Sequence, residues 1–353
     1  MLTKSVSTFS LYRQQQTNLQ RLNSDFATVN QEVASQRKSD ISASAGPRTQ
    51  ELVESRGEIG RIDVFLANIE TFESRASLMD AALTDIDEAV QDLMSQIVTN
   101  TPEPSVGVSG LPEAARGALD AINNALNLSL GGRSLFSGAQ IDVAPMQNPE
   151  TVNPASLLSP YDVMTAANLG APYPPLTAPD AALAIAAIDD VFDGTNAATP
   201  QSFEQTFYNG AAGPSTINAE IGDGLQLDYG IAADDPALRQ VLQGVYMLAT
   251  VDMDALAGSP AYTDYVDAAL ARVSAGVADL RDVQGRLGFQ QQQAAEAKEG
   301  LQTSRAFLVN TVVDLEVADP VEAQTRFEAI ERQLDAAYAA TVRASRLRLT
   351  NYL

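Results

Sequence analysis

A hydrophobic repeat governs what this chain can become. From Tyr262, apolar or small residues recur at steps of four and three through Val266, Ala269, Val273, Gly276, Leu280, Val283 and Leu287. After the polar Gln290 the register continues through Ala294, Ala297, Leu301, Ser304, Leu308, Thr311 and Leu315. Residues so spaced share one face of an α-helix. Wholly helical, the run is roughly 80 Å long at ~1.5 Å per residue. That exceeds an ordinary globular helix severalfold, so the spacing predicts a coiled coil or a helical bundle. Ser259 followed by Pro260 offers an N-cap and an N1 proline for its start.

A second run, Ile62, Phe65, Ile69, Phe72, Ala76, Met79, Leu83, Ile86, Val90, Leu93 and Ile97, carries bulkier side chains and ends before Pro102. A shorter helix follows Pro112 with Ala115, Leu119, Ile122 and Leu126, and Gly131-Gly132 can stop it through a left-handed cap. Matching registers in distant segments predict an antiparallel bundle with an intramolecular core over 62–97 and 262–307. The two ends are thinner. Tyr12, Leu19, Leu22, Phe26, Val29 and Val33 keep the heptad among Thr, Asn, Ser and Gln. Phe327, Ile330, Leu334, Ala337, Thr341 and Ala344 keep it with small side chains, and Pro320 separates them from the long run. Such seams cannot sustain isolated helices, whose stability comes mainly from packing. Leu19, Leu22, Phe26, Val29, Val33, Phe327, Ile330 and Leu334 are therefore expected to pack between subunits as well as with each other.

Between Ser137 and Ala233 the periodicity changes. Prolines at 145, 149, 154, 160, 172, 174, 175 and 179 break any long helix, leaving a short one over Ala181 to Phe192. Ile217, Ala219, Ile221 and then Leu225, Leu227, Tyr229, Ile231 alternate about Gly222-Asp223-Gly224, a hairpin pattern. Asp234-Asp235-Pro236 caps the next helix, which carries Leu238, Val241, Leu242, Val245 and Leu248. The fold class is mainly α: a long antiparallel helical bundle or coiled coil formed by N- and C-terminal segments, with an inserted α+β or β-rich outer domain.

Charge follows the same division. Residues 101–270 hold 20 acidic residues against three arginines, whereas the first fifty residues carry six basic and three acidic. An acidic middle disfavours nucleic acid and anionic membranes, since binding there depends on Lys and Arg. No stretch approaches the ~20 apolar residues of a membrane span. Met1 to Gln16 lacks the apolar core and cleavage site of a Sec signal. His and Cys are absent, which removes the usual acid/base, thiol nucleophile and transition-metal ligands. Asp189-Asp190-x-x-Asp193-Gly194-x-Asn196 lacks the alternating carboxylates of a calcium loop and reads as a helix end. Asp234-Asp235 reads as a cap, and Gly131-Gly132 has no following Gly-Lys-Ser/Thr for a phosphate. No catalytic, metal or cofactor site is expected.

Four stretches carry a resemblance. Gly132-Arg133-Ser134-Leu135-Phe136-Ser137-Gly138, Phe207-Tyr208-Asn209-Gly210, Asp235-Pro236-Ala237-Leu238-Arg239, and the ending Ala336-Ala337-Tyr338 through Leu347-Arg348-Leu349-Thr350-Asn351-Tyr352-Leu353 stand in the order seen in a known group. The chain resembles the flagellar hook–filament junction family, hook-associated protein 3, relatives of flagellin. It lacks the D-D-P-x-x-A motif that many relatives carry after the first helix. The resemblance implies a non-enzymatic subunit that forms a ring between hook and filament. Its partners would be flagellin, the junction protein on the hook side and an export chaperone at the C-terminal region. The implied location is extracellular, after type III export. The implied layout is nested: 1–40 with 308–353 as an inner domain, 41–138 with 235–307 and the hairpin 200–234 as a bundle, and 139–199 as a Pro-rich outer insertion. Tyr338, Leu347, Leu349, Tyr352 and Leu353 then join the assembly interface. A flagellin is the alternative, and a carboxylate-dependent hydrolase carried on the flagellum a more distant one.

Overall fold

The computed structural model describes residues 8–40, 46–100, 110–193, 200–211, 213 and 217–349. The chain forms two compact units, Met1–Asp63 with Leu301–Leu353, and Val64–Gly300. In order, the elements are α1 (Thr8–Ser35), a 3-10 turn (Gly46–Arg48), α2 (Thr49–Asn100), α3 (Leu111–Leu126), β1 (Ser129–Leu130), β2 (Arg133–Ser134), α4 (Pro160–Val163), α5 (Ala166–Leu169), α6 (Ala178–Phe192) and α7 (Phe203–Thr206). There follow β3 (Asn218–Gly222), β4 (Leu225–Asp228), α8 (Pro236–Thr250), α9 (Met253–Ala257), α10 (Tyr262–Glu316) and α11 (Pro320–Leu349).

In the unit Val64–Gly300 the bulky heptad residues of α2, from Ile69 to Ile97, are sealed from solvent. Their partners on α10, Val266 to Leu287, are equally buried. Asp87 pairs with Arg281 at 3.2 Å and Glu73 with Lys298 at 2.6 Å, so numbering rises along α2 as it falls along α10, and the two run antiparallel. The repeat on α10 is sealed as far as Ala294; beyond it Ala297 and Leu301 are half-buried and Ser304 is exposed. The repeat is buried again at Leu315, so only its stretch from Ala297 to Thr311 lacks a sealed core.

Helix α8 lies against α3 and α6 and buries almost every side chain from Ala237 to Ala249. It meets α10 through two glycines. A Cβ on Gly244 would stand 2.7 Å from the Ala269 carbonyl, and one on Gly276 would stand 2.7 Å from the Val241 amide. Only hydrogen fits at both positions. Asp235 caps α8 as expected, accepting from the Ala237 amide at 3.0 Å.

Two local readings change. Gly131 and Gly132, with φ of 60° and 79°, form the two-residue turn of the β1–β2 hairpin; α3 has already ended at Asn127. Consecutive positive φ values are what a type I′ turn needs, which outweighs their use as a helix stop. Ser259 is no N-cap, because a turn closed from the Tyr262 amide to its carbonyl precedes α10 and leaves its hydroxyl buried without a partner. The β3–β4 hairpin forms where the alternation placed it, but an irregularity between Glu220 and Gly222 turns Leu225 outward.

The Pro-rich stretch belongs to the same unit. Tyr173 donates or accepts with Thr250 at 2.8 Å and Tyr265 at 3.0 Å, and burial pushes its phenol up to about 12. Phe192 joins Phe203, Phe207 and Tyr246 in an aromatic cluster. Asp189 accepts from Arg272 Nε at 2.9 Å and from Gln243 at 2.6 Å, so the acid of the candidate calcium loop serves as an anchor for α6.

Candidate assembly interface

The ends of the chain meet in the unit Met1–Asp63 with Leu301–Leu353. Helix α1 packs on α11 along the thin seams. The Phe26 and Phe327 rings lie 5.0 Å apart, an aromatic contact of the kind that adds to area burial. Val29, Ala323 and Leu334 are buried. Leu19, Leu22, Val33 and Ile330 are half-buried, and Tyr338 is exposed with its hydroxyl donating to Asn23 at 3.3 Å. Leu347 and Leu349 lie on α11, with their side chains outside the described residues, as are Tyr352 and Leu353 altogether. The structure thus brings Phe26 and Phe327 together within one chain.

Spacing did not single out the polar groups that tie this unit together. Glu316 ends α10 with its side chain only 1% exposed, and Arg37 and Arg56 each donate to one of its oxygens. Beside it the Lys38 amide donates to the Glu316 carbonyl at 2.9 Å and the Ala318 amide to the Gln36 carbonyl at 3.1 Å. The segment after α1 and the break before α11 are therefore bridged by backbone. Gln36 accepts a φ of 55°, an uncommon conformation for a side chain with a Cβ, to make the turn. Glu32, buried in the α1 seam, takes the Ser39 amide at 3.1 Å, the Ser39 hydroxyl at 2.9 Å and Arg326 at 3.3 Å. Asp319 caps α11 through the Val321 amide at 2.8 Å. A lone signal in the sequence was Glu32 standing between Val29 and Val33; Glu316 had none.

On the same unit Phe307, Val313, Val317 and Val321 are exposed, Phe307 to 71% and Val321 to 73%. Phe307 and Val313 fall outside the register that seals α10, Val317 follows its last residue and Val321 stands in the first turn of α11.

The rival chemistry has a concrete place to be weighed. A cavity of about 660 Å³ in the other unit is lined by Asp189, Glu204, Asp234, Asp235 and Arg239. Burial pushes the Asp234 carboxyl up, against the pull of the Gly213 amide and Arg239. Perturbed carboxylates mark active sites, but structural ion-pair networks produce the same signature. Asp234 accepts from Gly213 at 2.9 Å, Glu204 pairs with Arg239 at 3.1 Å, Asp189 pairs with Arg272, and Asp235 caps α8. Each of these acids already has a structural partner. Among the described residues no group of three or more acids is placed to hold a metal ion, and no helix is long and apolar enough to cross a membrane.

Residues 264–353 match the bacterial flagellin C-terminal helical region. A solved structure assigned as a flagellar hook-associated protein from Vibrio parahaemolyticus shares the fold, with a TM-score of 0.51 at 13% identity, over 76% of this chain and 97% of that one. No curated protein matches the chain. The matched region spans most of α10 and all of α11, and so includes Phe307, Val313, Val317, Val321 and the C-terminal seam. Over that region the chain is similar to flagellin; among the described residues it has long helices and two small antiparallel sheets.

Proposed function

We propose that this flagellin-like chain is a structural subunit of the bacterial flagellum that joins the hook to the filament. The observation that carries the reading is the pairing of the two chain ends, Phe26 on Phe327, in a unit that leaves Phe307, Val313, Val317 and Val321 outside its own core. A thin internal seam beside large apolar side chains left in solvent suits a protein completed by its neighbours. In this reading copies form a ring, with flagellin on one side and the hook-side junction protein on the other. Export through the flagellar type III route, with a chaperone on the C-terminal region, places the subunit outside the cell. The terminal helices serve as the inner domain of a nested layout, with α2, α3, α8 and most of α10 as the bundle and 139–199 as the outward insertion. Leu19, Leu22, Phe26, Val29, Val33, Phe327, Ile330, Leu334, Tyr338, Leu347, Leu349, Tyr352 and Leu353 form the surface that is shared between intramolecular pairing and assembly.

The match to the flagellin C-terminal helical region favours a second reading, a filament subunit. A deletion strain separates the two. A junction subunit leaves hooks without filaments and flagellin released into the medium. A flagellin leaves hooks without filaments and no such release. Normal filaments on the deletion strain overturn both.

A further inference from the structure

Arg75 lies on α2 in the unit Val64–Gly300, 92% buried by its relative exposure of 8%. Its guanidinium makes a single hydrogen bond, from Nη2 to the Ser134 carbonyl at 3.3 Å. Its Nε finds no acceptor, and neither do the buried hydroxyls of Ser134 and Ser137. No carboxylate among the described residues lies within 4.0 Å of it. Arg239, Arg272, Arg281, Arg305 and Arg326, by contrast, each face an acid. A desolvated cation with one long hydrogen bond to a carbonyl is destabilising, and an apolar side chain of similar length would fill the same space without that cost. Folding of the single chain therefore does not account for this arginine.

We propose that Arg75 receives a carboxylate from a second copy of this chain. The planar fork of a guanidinium matches a carboxylate in two parallel hydrogen bonds, and a largely desolvated setting strengthens them. The site stands at the edge of the β1–β2 hairpin: Ser134 ends β2, the exposed Arg133 precedes it, and the exposed Leu78 lies one turn along α2 from Arg75. Charge complementarity names the occupant. The chain carries a net charge of −23, and its residues 101–270 hold 20 acids against three arginines, so an adjoining copy presents carboxylates densely. The inference rests on the reading above, in which copies of the chain lie side by side.

The test complements a deletion strain with wild type, Arg75→Met and Arg75→Lys. It compares the protein recovered in sheared flagella with that in the medium, and the melting of each purified subunit. The expected result is that Arg75→Met melts at or above the wild-type temperature while its recovery in flagella drops at least about tenfold, the loss expected when a hydrogen-bonded charge pair across an interface is broken. Arg75→Lys keeps the charge without the fork and falls between. A Met variant that melts well below wild type, or that incorporates as well as wild type, overturns the proposal. Since the chain has no cysteine, Arg133→Cys bearing a short photoreactive group gives a readout independent of folding defects at Arg75. Illuminated flagella should yield a dimer of this chain linked through an acidic residue; a link to another protein, or none, overturns it. If wild type itself is missing from flagella, the reading beneath fails too; if wild type assembles and Arg75→Met does so equally, this inference fails alone.

Discussion

Glu316 is the residue on which the terminal unit turns. Its carboxylate is nearly inaccessible, yet Arg37 and Arg56 are each more than half exposed, so most of the desolvation falls on one side of the pair. Truncation to Ala removes both ion pairs but leaves the arginines in water. The expected loss is about 1–2 kcal/mol, below the value for a fully buried pair. Amide hydrogen exchange reads it locally: Lys38 and Ala318, whose amides bridge the two breaks, should exchange faster in Glu316→Ala, while amides in the α2–α10 core of the other unit stay unchanged. Val29 and Leu334 were legible as buried positions because a heptad position predicts burial whatever its partner. Glu316 was not. Its partners lie 279 and 260 residues away, and no local pattern distinguishes a buried, paired Glu from a solvated one. Arg75 escaped notice for the same reason in reverse, since only the fold reveals which basic residue lacks an acid.

At the scale of elements, the crossing of α8 and α10 gives the sharpest test. Gly244→Ala should improve helix propensity by about 1 kcal/mol, yet its methyl would collide with the Ala269 carbonyl of a neighbouring helix that cannot step aside alone. Overpacking of this kind typically costs about 1–3 kcal/mol, so a net loss in thermal or denaturant unfolding is expected, with Gly276→Ala behaving alike. Gly60→Ala is the control. It is helical, exposed and has open space where the methyl would go, so a gain of about 0.5–1 kcal/mol is expected in the same assay. Sequence reasoning found the long helices, α8 with its cap and the β3–β4 hairpin, because period and capping chemistry are local. It misplaced Gly131-Gly132, where either a helix stop or a hairpin turn fits the residues, and only the partner strand decides. Gly276 entered the heptad as a small residue; its purpose, a backbone contact, depends on which helix crosses there.

For the whole molecule, the two units predict separable losses. Removing residues 340–353 takes the last turns of α11 and the end of the seam. The purified fragment should retain the cooperative melt of the unit Val64–Gly300, while its incorporation into flagella is abolished; motility equal to wild type would refute the assembly role. That segments far apart in the chain share one unit was readable from heptad runs at both ends, and the structure pairs them in Met1–Asp63 with Leu301–Leu353. The extent of each unit was not, because α2 and α10 are continuous helices whose sequence does not mark where one packing environment gives way to another. The pairing of α1 with α11 also fixes a timetable. Nearly the entire polypeptide separates Phe26 from Phe327, so their contact has about the largest loop-closure cost the chain allows, whereas α3, α8 and the hairpins gain from near neighbours. Helix α1 is made long before α11 and must wait through synthesis of everything between before the other half of the seam exists.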